Sequence, residues 1–374
     1  MDLAKGQVDM ISVRVFLAQA TARWGFFELH VEGVGRVGGH AVHLAHLVAY
    51  QNSGGRAACW LASTGVGFER HARHCFTGSA ESPMVDQLAV PAKPGQIAEG
   101  PRRTCMFPAH RPLAEDFGRT EVTIDGEAKP VWRSGNGPGV VIMHEVPGIT
   151  PAVARFARIV RDRGFTVFLP EMFGTVDKRV SGGYMISSLL HCCVSREFHV
   201  LAAGGSSPIT DWLRKLCHRV HEELGGPGVG ALGMCMTGNF ALALMVDPSV
   251  QAPVLSQPSL PFPIDKARAR GIHVSPEQLA VIKRRVHEEN LKVLGLRFTA
   301  DRVCPGARFK TLRRELGEGF EGIEIDSGPG NAWGIKGMAH SVLTEELVDE
   351  DGHPTKQALE RVLGFFEERL QRTA

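Results

Sequence analysis

A cysteine set between two glycines, where a strand-like run changes into a helix-like one, is the most chemically suggestive feature of this 374-residue chain. Val229 to Leu232 form a short apolar run, Gly233-Met234-Cys235-Met236-Thr237-Gly238 follows, and an Ala/Leu-rich helical stretch comes next. Such a turn is tight enough to strain the residue at its tip, requires small neighbours, and lifts the tip side chain above the sheet edge. The N-terminus of the following helix then faces the sulfur and favours its anionic form. A small buried cysteine beside a glycine-bounded turn looks the same in isolation. A nucleophile, however, needs a base and the base an orienting acid, and with this kind of turn they arrive in the chain order nucleophile, acid, histidine. Asp301 follows the strand-like segment LGLRFTA, and His340 ends a glycine-rich loop, GPGNAWGIKGMAHS, that comes after GIEID. Taken singly, Asp301 reads equally well as a strand-end cap and His340 as a polar residue flanking a helix. Their ordered occurrence with Cys235 is what points to catalysis.

A fourth residue belongs with these three. The apolar strand in VVIMHEVPGITP ends at His144-Glu145-Val146-Pro147-Gly148, which puts Glu145 at the sheet edge near the cysteine. The loop after this strand and the residue after the nucleophile normally supply the two backbone donors for a tetrahedral oxyanion, here the N–H groups of Val146 and Met236.

Residues so far apart in sequence need a sheet to bring them together. From about Thr120 the chain alternates strand-like and helix-like segments, with strands expected at Thr120–Asp125, Lys129–Arg133, Gly139–His144, Phe165–Leu169, Val229–Met234, Ala252–Leu255, Leu294–Phe298 and Phe320–Ile325. Apolar stripes at helical spacing fall at Pro151–Arg163, Asp211–Leu224, Asn239–Val246, Pro276–Asn290, Ala307–Leu316 and Lys356–Arg372. The expected class is α/β, an α/β-hydrolase with a mostly parallel eight-stranded sheet and helices on both faces, spanning residues 118–374.

With these pieces in place, the chain resembles the dienelactone hydrolase family over roughly residues 118 to 374, on the HEVPG loop, the GMCMTG turn, Asp301 and MAHSVLT. The resemblance implies a Cys235/Asp301/His340 triad acting on a carboxylic ester or lactone, with no cofactor and no metal. It also implies that Glu145 pairs with the cysteine at rest and helps to generate thiolate once substrate displaces it. Two positions depart from the family. Thr237 stands where the family has a glycine, which a slightly opened turn would accommodate. Thr344 stands where a family arginine grips a substrate carboxylate, so dienelactone itself is not the expected substrate. Arg196, in the insertion between Phe173 and Pro208, is the candidate replacement cation. Two other readings use the same residues. One is a thiol acyltransferase or redox protein in which adjacent Cys192 and Cys193 resolve an oxidised Cys235. The other is a non-catalytic ligand-binding protein on the hydrolase scaffold.

Residues 1–117 lack the alternation and read as a poorly structured extension or an early-assigned start, with translation beginning near Met84 or Met106. Gly33, Gly35 and Gly38 match G-x-G-x-x-G, but Glu28, His30 and Glu32 break the preceding strand and the acidic residue expected some 20 positions on is missing. His40, His43 and His46, with His71, His74 and Cys75 downstream, invite a zinc site, yet at helical spacing the third imidazole swings off the face of the first. Forty-two basic and 40 acidic residues without a basic stripe argue against nucleic acid as a partner. The absence of a long apolar run argues against a membrane span, and an acidic, arginine-broken N-terminus argues against a secretory signal. The expectation is a cytoplasmic monomer or homodimer whose eight cysteines are mostly reduced.

Overall fold

The hairpin that opens the second half shows how local sequence sets the architecture. Asp125 and Gly126 both adopt positive φ, 52° and 81°, the two-residue turn that Asp-Gly favours, and fold strand β1 (Gly118–Ile124) back on β2 (Glu127–Ser134). The computed structural model describes the backbone of residues 9–18, 27–37, 40–52, 55–56 and 59–62, and residues 111–185, 187–188 and 208–371 with their side chains. The chain divides into two units, residues 1–108 and 109–374.

In the second unit the remaining strands are β3 (Gly139–Met143), β4 (Thr166–Pro170), β5 (Val229–Met234), β6 (Val250–Ser256), β7 (Val293–Phe298) and β8 (Phe320–Ile325). They form one eight-stranded sheet in the order β1-β2-β4-β3-β5-β6-β7-β8. All neighbours run parallel except β1 with β2 and β2 with β4. Strands β3, β4, β5 and β7 are buried at every position, because helices cover both faces. Alternate residues of β3 enter different cores. Val141 and Met143 belong to the core that is also lined by α2 (Pro208–Leu224), α3 (Gly238–Leu244), α5 (Pro276–Glu288) and α6 (Gly306–Leu316). Val140 and Ile142 pack beneath α1 (Pro151–Asp162) and α7 (Pro354–Leu370).

The expected class is thus the one observed, with element ends shifted by one or two residues in most cases. A short helix, α4 (Lys266–Arg270), is an addition, started by the Asp265 side chain accepting from the Arg268 N–H. Among the described residues no helix is long and apolar enough to cross a membrane.

In the first unit, strands Asp9–Ala18, Phe27–Val37 and His40–Asn52 pair antiparallel in succession, and Cys59–Ala62 pairs with the third. Gly33 and Gly35 lie inside a strand whose neighbour follows with Val37 opposite His40, so no helix begins there to receive a pyrophosphate. The helical spacing assumed for His40, His43 and His46 likewise does not apply. The alternation of Glu28, His30 and Glu32 with Leu29 and Val31, which spoke against a buried parallel strand, is the pattern of an antiparallel strand with one polar face. His71, His74, Cys75, Met84 and Met106 lie outside the described residues, as do Cys192, Cys193 and Arg196.

Candidate active site

Strand β5 ends where a residue with a side chain fits poorly. A Cβ on Gly233 would lie 2.0 Å from the Thr237 carbonyl oxygen, and one on Gly238 would lie 2.6 Å from Pro258 Cα. Between them the chain makes one tight 3-10 turn, Cys235–Thr237, before α3, and Cys235 sits at φ +55°. Left-handed backbone at a non-glycine residue costs on the order of 1–3 kcal/mol and persists only where the surroundings enforce it. Thr237 supplies part of that enforcement. Its backbone is right-handed, so no opening of the turn is needed. Its hydroxyl accepts from the Met234 N–H at 2.9 Å and lies 2.8 Å from the Met143 carbonyl oxygen, tying the turn to the end of β3. Met236 directly follows the cysteine, and Val146 directly follows Glu145 in a loop closed by the Gly148 N–H donating to the Glu145 carbonyl.

The structure brings Asp301 and His340 together. The His340 Nδ1 lies 2.7 Å from Asp301 Oδ2, while Asp301 Oδ1 accepts the N–H groups of Val303 and Cys304 at 2.8 and 3.1 Å. Burial pushes the Asp301 carboxyl up, but the His340 charge and these donors outweigh it and hold the group below its usual range. Burial also opposes the charged imidazole. The Asp301 carboxylate and a hydrogen bond and charge interaction with Cys235 prevail, and His340 titrates well above the usual histidine value. His340 therefore bridges Asp301 and Cys235. Cys235 is half-buried, whereas Cys217 and Cys304 are fully buried. Burial raises the Cys304 thiol to about 12, and it raises Cys217 further still.

The loops holding these groups are internally braced. Asn331 ties the glycine-rich loop before His340 by donating to the carbonyls of Gly328 and Ile335 and accepting from the N–H groups of Trp333 and Ile335. Buried Arg297 clasps the Asp301 loop through the carbonyls of Thr299 and Cys304. Buried His144 lies 3.2 Å from the Glu145 carbonyl oxygen through Nδ1 and accepts from the Met172 N–H through Nε2. Burial lowers its titration to about 4, so it remains neutral.

Glu145 departs from the resting arrangement that the family resemblance implies. Its buried carboxylate accepts from Gln257 Nε2 at 3.1 Å, from Ser341 Oγ at 2.7 Å and from Thr344 Oγ1. The partners seen for it are these three neutral donors rather than Cys235. Thr344, where the family carries arginine, is one of them. Gln257, Ser259 and Ser341 line this region and were not singled out in the sequence. Ser341 adjoins His340, and Gln257 and Ser259 follow β6, so their positions at strand ends were the available signal. Arg196 lies outside the described residues. Among the described residues no group of three or more His, Cys, Asp or Glu side chains is placed to hold a metal ion.

A mostly parallel sheet in this order, with a cysteine at the turn after β5 and acid and histidine after β7 and β8, defines the α/β-hydrolase class. Within that class the chain belongs to the dienelactone hydrolase family, whose sequence model matches residues 127–370. Among solved structures, a putative dienelactone hydrolase from Klebsiella pneumoniae subsp. pneumoniae MGH 78578 is similar at 16% identity. The alignment covers 67% of this chain and 98% of that one, with a TM-score of 0.46. A dienelactone hydrolase from Anabaena variabilis ATCC 29413 is 14% identical, covering 68% and 99% with a TM-score of 0.43. A dienelactone hydrolase-like promiscuous phosphotriesterase, P91, from metagenomic libraries is 17% identical, covering 68% and 98% with a TM-score of 0.42. A search of curated proteins gives no match.

Proposed function

We propose that this hydrolase cleaves a carboxylic ester or lactone through a thioester on Cys235. His340 takes the thiol proton and the sulfur attacks the carbonyl carbon, while the backbone N–H groups of Met236 and Val146 receive the developing oxyanion. The tetrahedral intermediate collapses to a thioester as the alkoxide leaves with the proton from His340. The same imidazole then removes a proton from water, which attacks the thioester and releases acid and free thiol. Asp301 keeps the imidazole in the required tautomer and stabilises its charge.

The observation that carries this reading is the left-handed Cys235 at the glycine-bounded turn, with His340 joined to it on one side and to Asp301 on the other. Thr344 narrows the substrate class. Without the arginine of the family at this position, a substrate carboxylate has no matching cation there, and simple esters and lactones are favoured over dienelactone. Cys235→Ala should abolish turnover of p-nitrophenyl esters and simple lactones in a protein that unfolds at the wild-type temperature, and iodoacetamide should inactivate the wild type. Undiminished hydrolysis by the alanine variant ends this account.

A further inference from the structure

Gln257 follows the last residue of β6, is wholly buried, and adopts φ +33°, a backbone conformation that glycine would take more easily. A polar side chain retained under those conditions has two ends to satisfy. Its Nε2 donates to Glu145 Oε2 at 3.1 Å. Its Oε1 accepts from Ser256 Oγ and, at 3.4 Å, from the N–H of Val342. The partners fix which way the amide faces, because the carboxylate accepts only a donor and the Val342 N–H requires an oxygen. Leucine would serve neither end, and an ionised glutamate could not donate to Glu145.

The same residue reaches the triad from two directions. Val342 is two residues beyond His340, and Ser341 between them donates to the Glu145 oxygen that Gln257 also holds. The Gln257 carbonyl accepts from Ser259 Oγ at 2.9 Å, and that hydroxyl lies 3.5 Å from His340 Nε2. The Ser259 N–H donates to the Cys235 carbonyl at 2.9 Å, and the Gln257 N–H donates to the Leu296 carbonyl of β7 at 2.7 Å. Four sheet-edge segments, those of Glu145, Cys235, Leu296 and His340, thus converge on one short turn.

We propose that Gln257 is a positioning residue of the triad, its two-ended amide locking the His340 loop to Glu145 and thereby fixing how His340 approaches Cys235. This rests on the reading of Cys235 as nucleophile and His340 as its base. A misplacement of about an ångström at a reacting group costs on the order of 10²-fold in rate, and that is the scale at which removal of the amide should be felt.

The test uses the full chain, with p-nitrophenyl ester turnover and the rate of Cys235 alkylation by iodoacetamide measured for wild type, His340→Ala, Gln257→Leu and Gln257→Glu. Gln257→Leu should lower kcat by on the order of 10²-fold with KM within about twofold of wild type, and it should slow alkylation. Gln257→Glu is close to isosteric. Protonated, its carboxyl can still donate to Glu145. Ionised, it repels that carboxylate. Its kcat should therefore gain an alkaline limb absent from wild type, which is read in folded protein even if the leucine variant fails to fold. Wild-type kcat, alkylation rate and pH profile in both variants overturn the proposal. If His340→Ala instead leaves turnover and alkylation unchanged, it is the reading of the triad that falls.

Discussion

Glu145 shows how much one neighbouring residue alters the role a carboxylate can play. Hydrogen bonds to a charged group are each worth about 1.5–3 kcal/mol net, so the three donors from Gln257, Ser341 and Thr344 hold it firmly, and no cation is among its partners in the described residues. Glu345 lies close by, and burial together with the Glu145 charge raises its carboxyl above the usual range. The pH dependence follows with its sign. The folded-state value of Asp301 is depressed, so its contribution to stability is fully present above its ordinary 3.8 and is lost as pH falls through the lower folded value. That of His340 is raised, so its contribution is full below its ordinary 6.5 and is lost as pH rises through the higher folded value. The drop in melting temperature caused by His340→Gln should be greatest between these two ordinary values and should shrink toward alkaline pH in thermal unfolding curves. A drop that grows with pH would contradict the assignment.

At the scale of elements, the site depends on braces made by buried arginines. Arg308, on α6 just beyond the Asp301 loop, is wholly buried and donates to the carbonyls of Gly271, Pro258, Pro261 and Arg268, all in the segment that follows β6. Its charge is dispersed over peptide dipoles, and burial pulls its titration down. Replacing it by leucine strands several buried carbonyls, each costing about 1–3 kcal/mol, and frees the segment that contains Ser259. Arg308→Leu should lower the denaturation midpoint substantially and reduce turnover more than stability alone accounts for. Full activity per folded molecule would show that the brace serves folding only.

At the scale of the molecule, the eight-stranded sheet, both apolar cores and every described site residue fall within residues 109–374. Among the described residues, each core runs from the sheet to its own set of helices. A chain starting at Ala109 should therefore unfold cooperatively and hydrolyse the same esters at a rate close to that of the full chain. Loss of a cooperative transition by calorimetry would mean that the first unit completes the fold.

The strand-to-helix rhythm, the glycine-bounded turn at Cys235 and the order of Glu145, Cys235, Asp301 and His340 are local patterns, and they determined the class and the candidate catalytic residues. Gly233 and Gly238 were readable as glycines because a tight turn needs them, although the atoms they avoid, Thr237 O and Pro258 Cα, come from the turn itself and from the next strand-end loop. The register of each strand end could not be read, and with it went the partners of Glu145. Whether that carboxylate meets Cys235 or Ser341 depends on how four loops at one sheet edge fit together, which no single segment encodes. Gln257 and Arg308 escaped notice for the same reason, since a glutamine after a strand or an arginine in a helix is ordinarily a surface residue and only packing makes it a brace. In the first unit the polar alternation of Glu28, His30 and Glu32 was read against the standard of a buried parallel strand, whereas the segment that carries it pairs antiparallel. Side-chain chemistry at fixed spacing is a property of the chain, whereas hydrogen-bond partners between distant segments exist only once the tertiary structure brings them within about 3 Å of each other.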